Sequence, residues 1–316
     1  MNVTNGTNQR SPKTTSLFPV VLYILNIPLT VLGNSLLCWV VYRYHRLRTP
    51  NNMLLASLSG ANMLNVFVFV SRLVIYFSLE VEHRAAFCSI LTVFYNNVLF
   101  LTTMHLCIIS VDRMLAIKYP LRYPLWVTNR RALFFAIVLW VIFAEQLIRL
   151  VCIAADQDDF WKHMTRCYGS VKHATKHRPL KFNIIRIGAY ILPFFVMLTS
   201  YGIIFKVVKT QSRKAYPETP KHYKRKSELK AAKTIGLLIG AFVILYTPLY
   251  ICSAIRVIKV GETSPALKRS RKKILKHLGY LSSCASWINP VIYAFTNNDV
   301  KEHLKKLFKD ICRKNR

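Results

Sequence analysis

The chain has 316 residues, 53% of them hydrophobic and only 18% charged, which is too apolar for a soluble domain with an ordinary surface. Its formal net charge is +32, from 45 Lys and Arg against 13 Asp and Glu, and the excess lies between apolar runs and at the C-terminus, where attraction to anionic lipid is a plainer reading than nucleic-acid binding. Eight cysteines without a CxxC pair or a His–Cys cluster leave zinc and dithiol redox chemistry without support.

Residues 1–16 are polar and carry N-glycosylation acceptors at Asn2 (Asn2-Val3-Thr4) and Asn5 (Asn5-Gly6-Thr7), which have meaning only on an extracellular N-terminus. No cleavable leader is read there, because the apolar run that follows is long enough to stay as an anchor. Seven apolar segments then succeed one another: Leu17 to Tyr42, Met53 to Leu79, Phe87 to Ile109, Ala132 to Ala155, Ile184 to Val208, Thr234 to Ile258 and Ile274 to Phe295. They approach the ~20 residues of a membrane-crossing helix, so the chain reads as an all-α membrane protein, a seven-transmembrane helix bundle over 17–295. Arg43, Arg46 and Arg48, then Lys118, Arg122, Arg130 and Arg131, then the stretch Lys206 to Lys233 fall in loops that this order puts inside. The run Lys268-Arg269-Ser270-Arg271-Lys272-Lys273 contradicts the rule, falling in an outside loop. The earlier loops set the expectation: a multi-pass plasma-membrane protein with its N-terminus extracellular.

Ionisable residues inside the spans concentrate in the outer halves, at Arg72, Glu145, Arg149, Arg186 and Arg256. A charge in a span faces the bundle interior or a wet cavity. Glu145 and Arg149, four apart on one helix, are expected to neutralise each other. Arg186 lies about two turns before Pro193 and Arg256 about two turns after Pro248, both near one mouth of the bundle. Their planar forks match carboxylate or phosphate, so an anionic or strongly polar ligand is expected, with Arg186 as main contact and Arg256 or Arg72 as helpers. Snorkelling to headgroups is the alternative for Arg256 and Arg72.

Cys88 begins the third segment and Cys167 lies in the loop after the fourth; both fall outside, where a disulfide between them is favoured over two unrelated thiols. Asp112-Arg113-Met114 closes the third segment on the inner side, where each charge is expensive alone; a local pair that opens to a cytoplasmic partner is expected. Asn289-Pro290-Val291-Ile292-Tyr293 breaks the last segment, because Pro290 frees a backbone carbonyl that needs a donor where there is no water. Residues 296–316 read as a cytoplasmic amphipathic helix, with Val300, Leu304, Leu307, Phe308 and Ile311 on one face and Lys301, Lys305, Lys306, Lys309 and Arg313 supplying the cationic side. Cys312 near its end is a candidate for palmitoylation, an unmodified thiol being the alternative.

Gly33-Asn34, Asp112-Arg113-Met114, Trp140, Pro193 with Tyr201, Phe242 with Pro248, and Asn289 to Tyr293 stand in that order on successive segments. The ordered set resembles a rhodopsin-like (class A) G-protein-coupled receptor over nearly the whole chain. Lys230-Ala231-Ala232-Lys233-Thr234 is similar to the inner end of the sixth helix in amine-type receptors, whereas Asn298-Asp299-Val300-Lys301-Glu302 is similar to the matching part of odorant-type receptors, and the subfamily stays open. The resemblance implies that Arg113 engages a heterotrimeric G protein while Tyr201 and Tyr293 swing toward it. It also implies that Pro248 bends the sixth helix, that Phe242 belongs to a packing switch, and that Tyr95, Asn96, Leu99, Leu249, Tyr250 and Ser253 line the ligand pocket by position.

Departures from the family pattern shape further expectations. Asn62 stands in place of an acidic residue and is expected to bond to Asn289 and to hydroxyls such as Thr102 and Ser286, so the family's sodium site is expected to be lost or weak. Tyr246 stands where Trp is usual and Met114 where Tyr is usual. Tyr95 replaces the carboxylate that pairs with an amine ligand, and Ser283 replaces the lysine that binds retinal, which argues against photoreception by that chemistry. The implied protein is a receptor rather than an enzyme, without cofactor, metal or nucleic acid. Its partners are a heterotrimeric G protein, an extracellular small-molecule or peptide ligand, and membrane lipids. Rival readings are a receptor-like protein that is silent or constitutively active, and a channel or transporter, against which no internal repeat and no charge relay across the bilayer is seen. A membrane enzyme finds no paired acid–base cluster in the spans.

Overall fold

The computed structural model describes residues 17–77, 81–155, 180–212, 236–237, 240–252, 255, 264–296, 301–303, 306 and 313. Among the described residues, five helices hold apolar stretches long enough to cross a membrane: Phe18–Arg43, Pro50–Phe77, Val81–Lys118, Asn129–Ala155 and Leu180–Ser212. The sixth is described over Gly240–Cys252, and the seventh comes in two pieces, Pro265–Ser283 and Ala285–Thr296. The architecture is a seven-transmembrane bundle. The first helix packs on the second and seventh, the second on the third and fourth, and the third on the fourth and fifth.

The core follows from those neighbours. Leu54, Leu58, Leu99, Leu106, Ile109, Met197, Phe242, Tyr246 and Tyr293 are buried together along the axis of the bundle. Leu32, Phe134, Val141, Ile148, Leu192 and Ile244 remain exposed around its outside. On a soluble protein such a belt would drive association; in a bilayer, hydrocarbon solvates it.

The third and seventh helices depart most from the sequence expectation, the third beginning at Val81 rather than Phe87. The third helix continues to Lys118, so Asp112 and Arg113 sit within a helix rather than at its end. The seventh begins at Pro265, nine residues before Ile274, so the basic run Lys268 to Lys273 is helical and not a loop. The reason is local: Ser264 Oγ accepts the Leu267 N–H at 3.3 Å and Pro265 occupies the first turn, two helix-start signals together. The interruption of the seventh helix falls at Cys284, before Pro290, which itself lies inside Ala285–Thr296. Around Cys284 the hydroxyls of Ser282, Ser283 and Ser286 bond to the carbonyls of Gly279, Tyr280 and Ser283 at 3.0, 2.7 and 2.9 Å, competing with the helical ladder.

Candidate functional site

The bundle end bearing Phe18 is the proximal end, and the end bearing Arg43 the distal end. Midway between them Pro290 has no N–H, so the Ser286 carbonyl four residues earlier loses its helical donor. Asn34 Nδ2 replaces it at 2.9 Å and also donates to the Thr30 carbonyl at 2.8 Å. Gly33 makes the approach possible, since a Cβ there would stand 2.9 Å from Pro290 Cγ. The Gly33-Asn34 pair thus admits the proline ring and satisfies the carbonyl that the proline strands.

Asn62 completes this centre differently from the expectation. Its Nδ2 donates to Asn34 Oδ1 at 3.4 Å, on the first helix, and not to Asn289, Thr102 or Ser286. Ser286 is engaged elsewhere, because its hydroxyl bonds Thr30 Oγ1 at 2.9 Å and its carbonyl accepts from Asn34. Toward the proximal end the same seam continues: Asn26 Nδ2 donates to Ser283 Oγ at 2.9 Å and Trp287 Nε1 donates to Asn26 Oδ1 at 2.7 Å. Asn26, Thr30 and Asn34 are buried, four apart, on one face of the first helix. That spacing was visible in the sequence, although no expectation used Asn26 or Thr30.

At the distal end Arg113 Nε donates to Asp112 Oδ2 at 2.8 Å, with Nη2 on the same oxygen at 2.5 Å. Their side chains are 14% and 4% exposed, so this is a buried pair. Tyr123, from the short helix Tyr123–Trp126, donates its hydroxyl to Asp112 Oδ1 at 2.7 Å and accepts from Arg113 Nη2 at 3.1 Å. Burial, aided by the Asp112 carboxylate against the opposing pull of Arg113, pushes the Tyr123 phenol above its ordinary value, so it remains a protonated donor. Sequence reasoning missed Tyr123, because a connecting turn carries no periodicity to reveal which side chain folds back.

Tyr293 and Tyr201 rest on other partners. The Tyr293 hydroxyl donates to Asn52 Oδ1 at 2.8 Å and accepts from Asn51 Nδ2 at 3.0 Å, while Asn52 Nδ2 donates to the Leu47 carbonyl at 2.8 Å. Tyr201 packs with Met114, Ile117 and Ile204, and its hydroxyl faces Gly236, where a Cβ would collide with it. Between the two ends, Trp140 Nε1 donates to Ser57 Oγ at 3.0 Å, and Ser57 Oγ lies 2.8 Å from His105 Nε2. The second, third and fourth helices are thereby tied through the buried His105, another residue no expectation used. The rings of Phe242 and Tyr246 lie 4.6 Å apart within the core, tilted by 44° to each other, with Pro248 half-buried beyond them.

Nearer the proximal end, Tyr95 of the third helix hydrogen-bonds Ser282 of the seventh at 2.8 Å, and Thr103 bonds Tyr250 of the sixth at 2.9 Å. Leu99, Leu249 and Tyr250 join the main core, Tyr95 packs beside Val68, Ile75 and Leu91, Arg72 is half-buried and Asn96 is exposed. Glu145 and Arg149 form an ion pair on an exposed face of the fourth helix. Cys88 and Arg186 lie on the third and fifth helices, but their side chains fall outside the described residues. Asn2, Asn5, Cys167, Ser253, Arg256 and Cys312 also lie outside them. Beyond the distal end Glu302 pairs with Lys306 at 3.2 Å, and the His303 ring sits 4.0 Å from that of Tyr44. Among the described residues no group of three or more His, Cys, Asp or Glu could hold a metal ion.

Residues 33–293 match the family model described as 7 transmembrane receptor (rhodopsin family). The alpha-1A adrenergic receptor of Oryzias latipes is 28% identical, over 99% of this chain and 72% of the relative. Trace amine-associated receptor 7d of Mus musculus is 30% identical, over 84% of this chain and 75% of the relative. The histamine H2 receptor of Canis lupus familiaris is 26% identical, over 98% and 85%.

Proposed function

We infer the following from the premise that this chain belongs to the rhodopsin family of seven-transmembrane receptors. It is a multi-pass membrane receptor of the G-protein-coupled class and not an enzyme. The proximal end is extracellular and the distal end cytoplasmic; the sequons at Asn2 and Asn5 and the basic residues Arg43, Arg46, Arg130 and Arg131 support that orientation. Glycans on Asn2 and Asn5, a Cys88–Cys167 disulfide and an acyl chain on Cys312 complete the reading.

The ligand sits in the outer half of the bundle, lined by Tyr95, Leu99, Leu249, Tyr250, Asn96 and Ser253. It is small and anionic or strongly polar, with Arg186 as its main contact and Arg256 or Arg72 assisting. The observation that carries this reading is the uncharged Tyr95–Ser282 bond, at the position where the resemblance implies an amine-binding carboxylate. Relatives named for adrenergic, histamine and trace amine ligands share the scaffold, but this chain offers no carboxylate there for an ammonium group. Ligand binding releases Arg113 from Asp112 and Tyr123 to meet the G protein, while Tyr293 leaves Asn51 and Asn52 and, with Tyr201, turns toward it. Phe242 and Tyr246 repack as the sixth helix moves about Pro248, while the seventh hinges at Asn289-Pro290.

A ligand panel in cells carrying dissociation sensors for each G-protein class tests the reading. Anionic compounds are expected to activate and simple amines to be inactive, with Arg186→Ala weakening the active compound by at least about tenfold, as loss of a charged hydrogen bond implies. Arg113→Ala is expected to abolish the signal while leaving surface expression intact. Unchanged affinity in Arg186→Ala for every ligand found would end the anionic-ligand reading.

Sodium supplies a second check. Asn62 is neutral and its amide is committed to Asn34, so it brings no anionic oxygen for a cation. Replacing sodium by a bulky organic cation is expected to leave agonist affinity within about twofold, since no charge is gained or lost at the centre. A strong sodium effect that disappears in Asn62→Ala would sink that expectation.

A further inference from the structure

The extension of the seventh helix beyond the apolar belt carries Lys268, Arg269, Arg271, Lys272, Lys273 and Lys276, and the whole of Pro265–Ser283 holds no acidic residue. Arg269, Lys273 and Lys276 are exposed. At about 100° per residue they share an arc of about 60° on the helix, with position 272 about 40° beyond its edge. Like charges three and four apart weaken a helix, and no carboxylate on this element relieves them. The first helix, which packs beside it, has no charged residue between Phe18 and Tyr42.

The helix is nonetheless held firmly. Ser264 caps its start, and Tyr280 at the base of the basic stretch is buried among Phe18 and Tyr23 of the first helix at ring distances of 5.9 and 6.0 Å. Lys276 Nζ lies 5.8 Å from the Tyr280 ring centroid, so the inner end of the cationic face rests on this aromatic cluster. A run that violates the positive-inside pattern is thus presented as a fixed surface, not as a slack loop.

We propose that the face formed by Arg269, Lys273 and Lys276 is a docking surface for an acidic peptide segment at the extracellular mouth of the receptor. This rests on the orientation argued under Proposed function. Charge complementarity selects an anion, and membrane lipid is the poorer source, because the anionic leaflet is the cytoplasmic one. From residue 269 to residue 276 the face extends about 10 Å, the reach of three or four carboxylates of one short segment and much less than the track a long sulfated glycan would engage. The same helix carries Ser282, bonded to Tyr95, two turns below Lys276 and continues past Cys284 into Asn289 and Tyr293. A ligand bound to its outer end therefore acts directly on the element that bears the activation residues.

The test uses the full-length protein in phosphatidylcholine nanodiscs with a fluorescein-labelled hexaglutamate peptide, read by fluorescence polarisation. Hexaglutamate is expected to bind and hexaglutamine not, with affinity falling steeply as salt rises from about 50 to 300 mM. Arg269→Gln/Lys273→Gln/Lys276→Gln is expected to weaken binding by at least about tenfold, while Arg269→Lys/Lys273→Arg/Lys276→Arg stays within about threefold at equal thermal stability. Equal binding by the neutralised variant would overturn the proposal, as would heparin binding through these residues where hexaglutamate fails. Binding to intact cells is expected; binding only after permeabilisation would overturn the extracellular placement. G-protein activation is read separately, so a silent receptor that still captures hexaglutamate would refute the receptor mechanism and not the docking surface.

Discussion

Asp112→Asn is expected to raise ligand-independent G-protein activation by about tenfold at matched surface expression. The argument starts from burial: both side chains of the Asp112–Arg113 pair are largely out of solvent, and Tyr123 bonds to both. Removing one partner of a buried pair costs about 3–5 kcal/mol, because the remaining charge is left uncompensated. That cost falls on the closed arrangement, where Arg113 lies among Asp112 and Tyr123, more than on an open one where it meets a partner. A differential of only about 1.4 kcal/mol moves the closed-to-open ratio tenfold. Tyr123→Phe removes the phenol hydroxyl alone and is expected to raise basal activity by a smaller factor. Unchanged basal signalling in both variants would remove the pair and its tyrosine from the switch.

Gly33→Val should abolish most surface expression, and Gly33→Ala should lower thermal stability by about 1–3 kcal/mol. A Cβ at position 33 would lie 2.9 Å from Pro290 Cγ and 3.3 Å from its Cβ, and a proline ring cannot swing aside as a flexible side chain can. If the helices part to admit the methyl, Asn34 loses the Ser286 carbonyl at 2.9 Å, and lipid offers that carbonyl no substitute donor. Gly202→Ala is the control, since nothing lies within 4 Å of a Cβ there and alanine favours the helix. Thermal unfolding of purified protein and surface labelling measure both. Equal stability of the position-33 and position-202 alanine variants would show that close packing on Pro290 is not needed.

The apolar spans were legible because a bilayer of fixed thickness demands apolar runs of fixed length: among the described residues five of them appear as continuous helices, all but the third within about four residues of their expected bounds, the third running past both of its own to Val81–Lys118. The local pair at Asp112 and Arg113 was legible for the same kind of reason, since adjacent opposite charges beside a membrane have few other choices. Lys268 to Lys273 was misread as a loop because polarity was taken to end the span, although the Ser264-Pro265 start signal was present in the sequence. Tyr123 could not be found that way. It joins Asp112 from a turn eleven residues on, where no pattern of hydrophobicity points it inward.

Residue types and their order were enough for the membrane class, the approximate spans, the ordered family residues and the carbonyl that Pro290 would strand. Asn62 and Tyr95 likewise bring amide and hydroxyl groups to positions where the family resemblance implies carboxylates. Which group meets which came from the packed bundle: Asn34, 252 residues away, supplies the missing donor, Asn62 answers to Asn34 and not Asn289, and Tyr293 rests on Asn51 and Asn52. Without water, each buried polar group needs a partner within the protein, and that necessity can be read from residue types. Many pairings would satisfy it. The choice among them is made by helix packing, where a missing side chain at Gly33 brings two distant segments into contact.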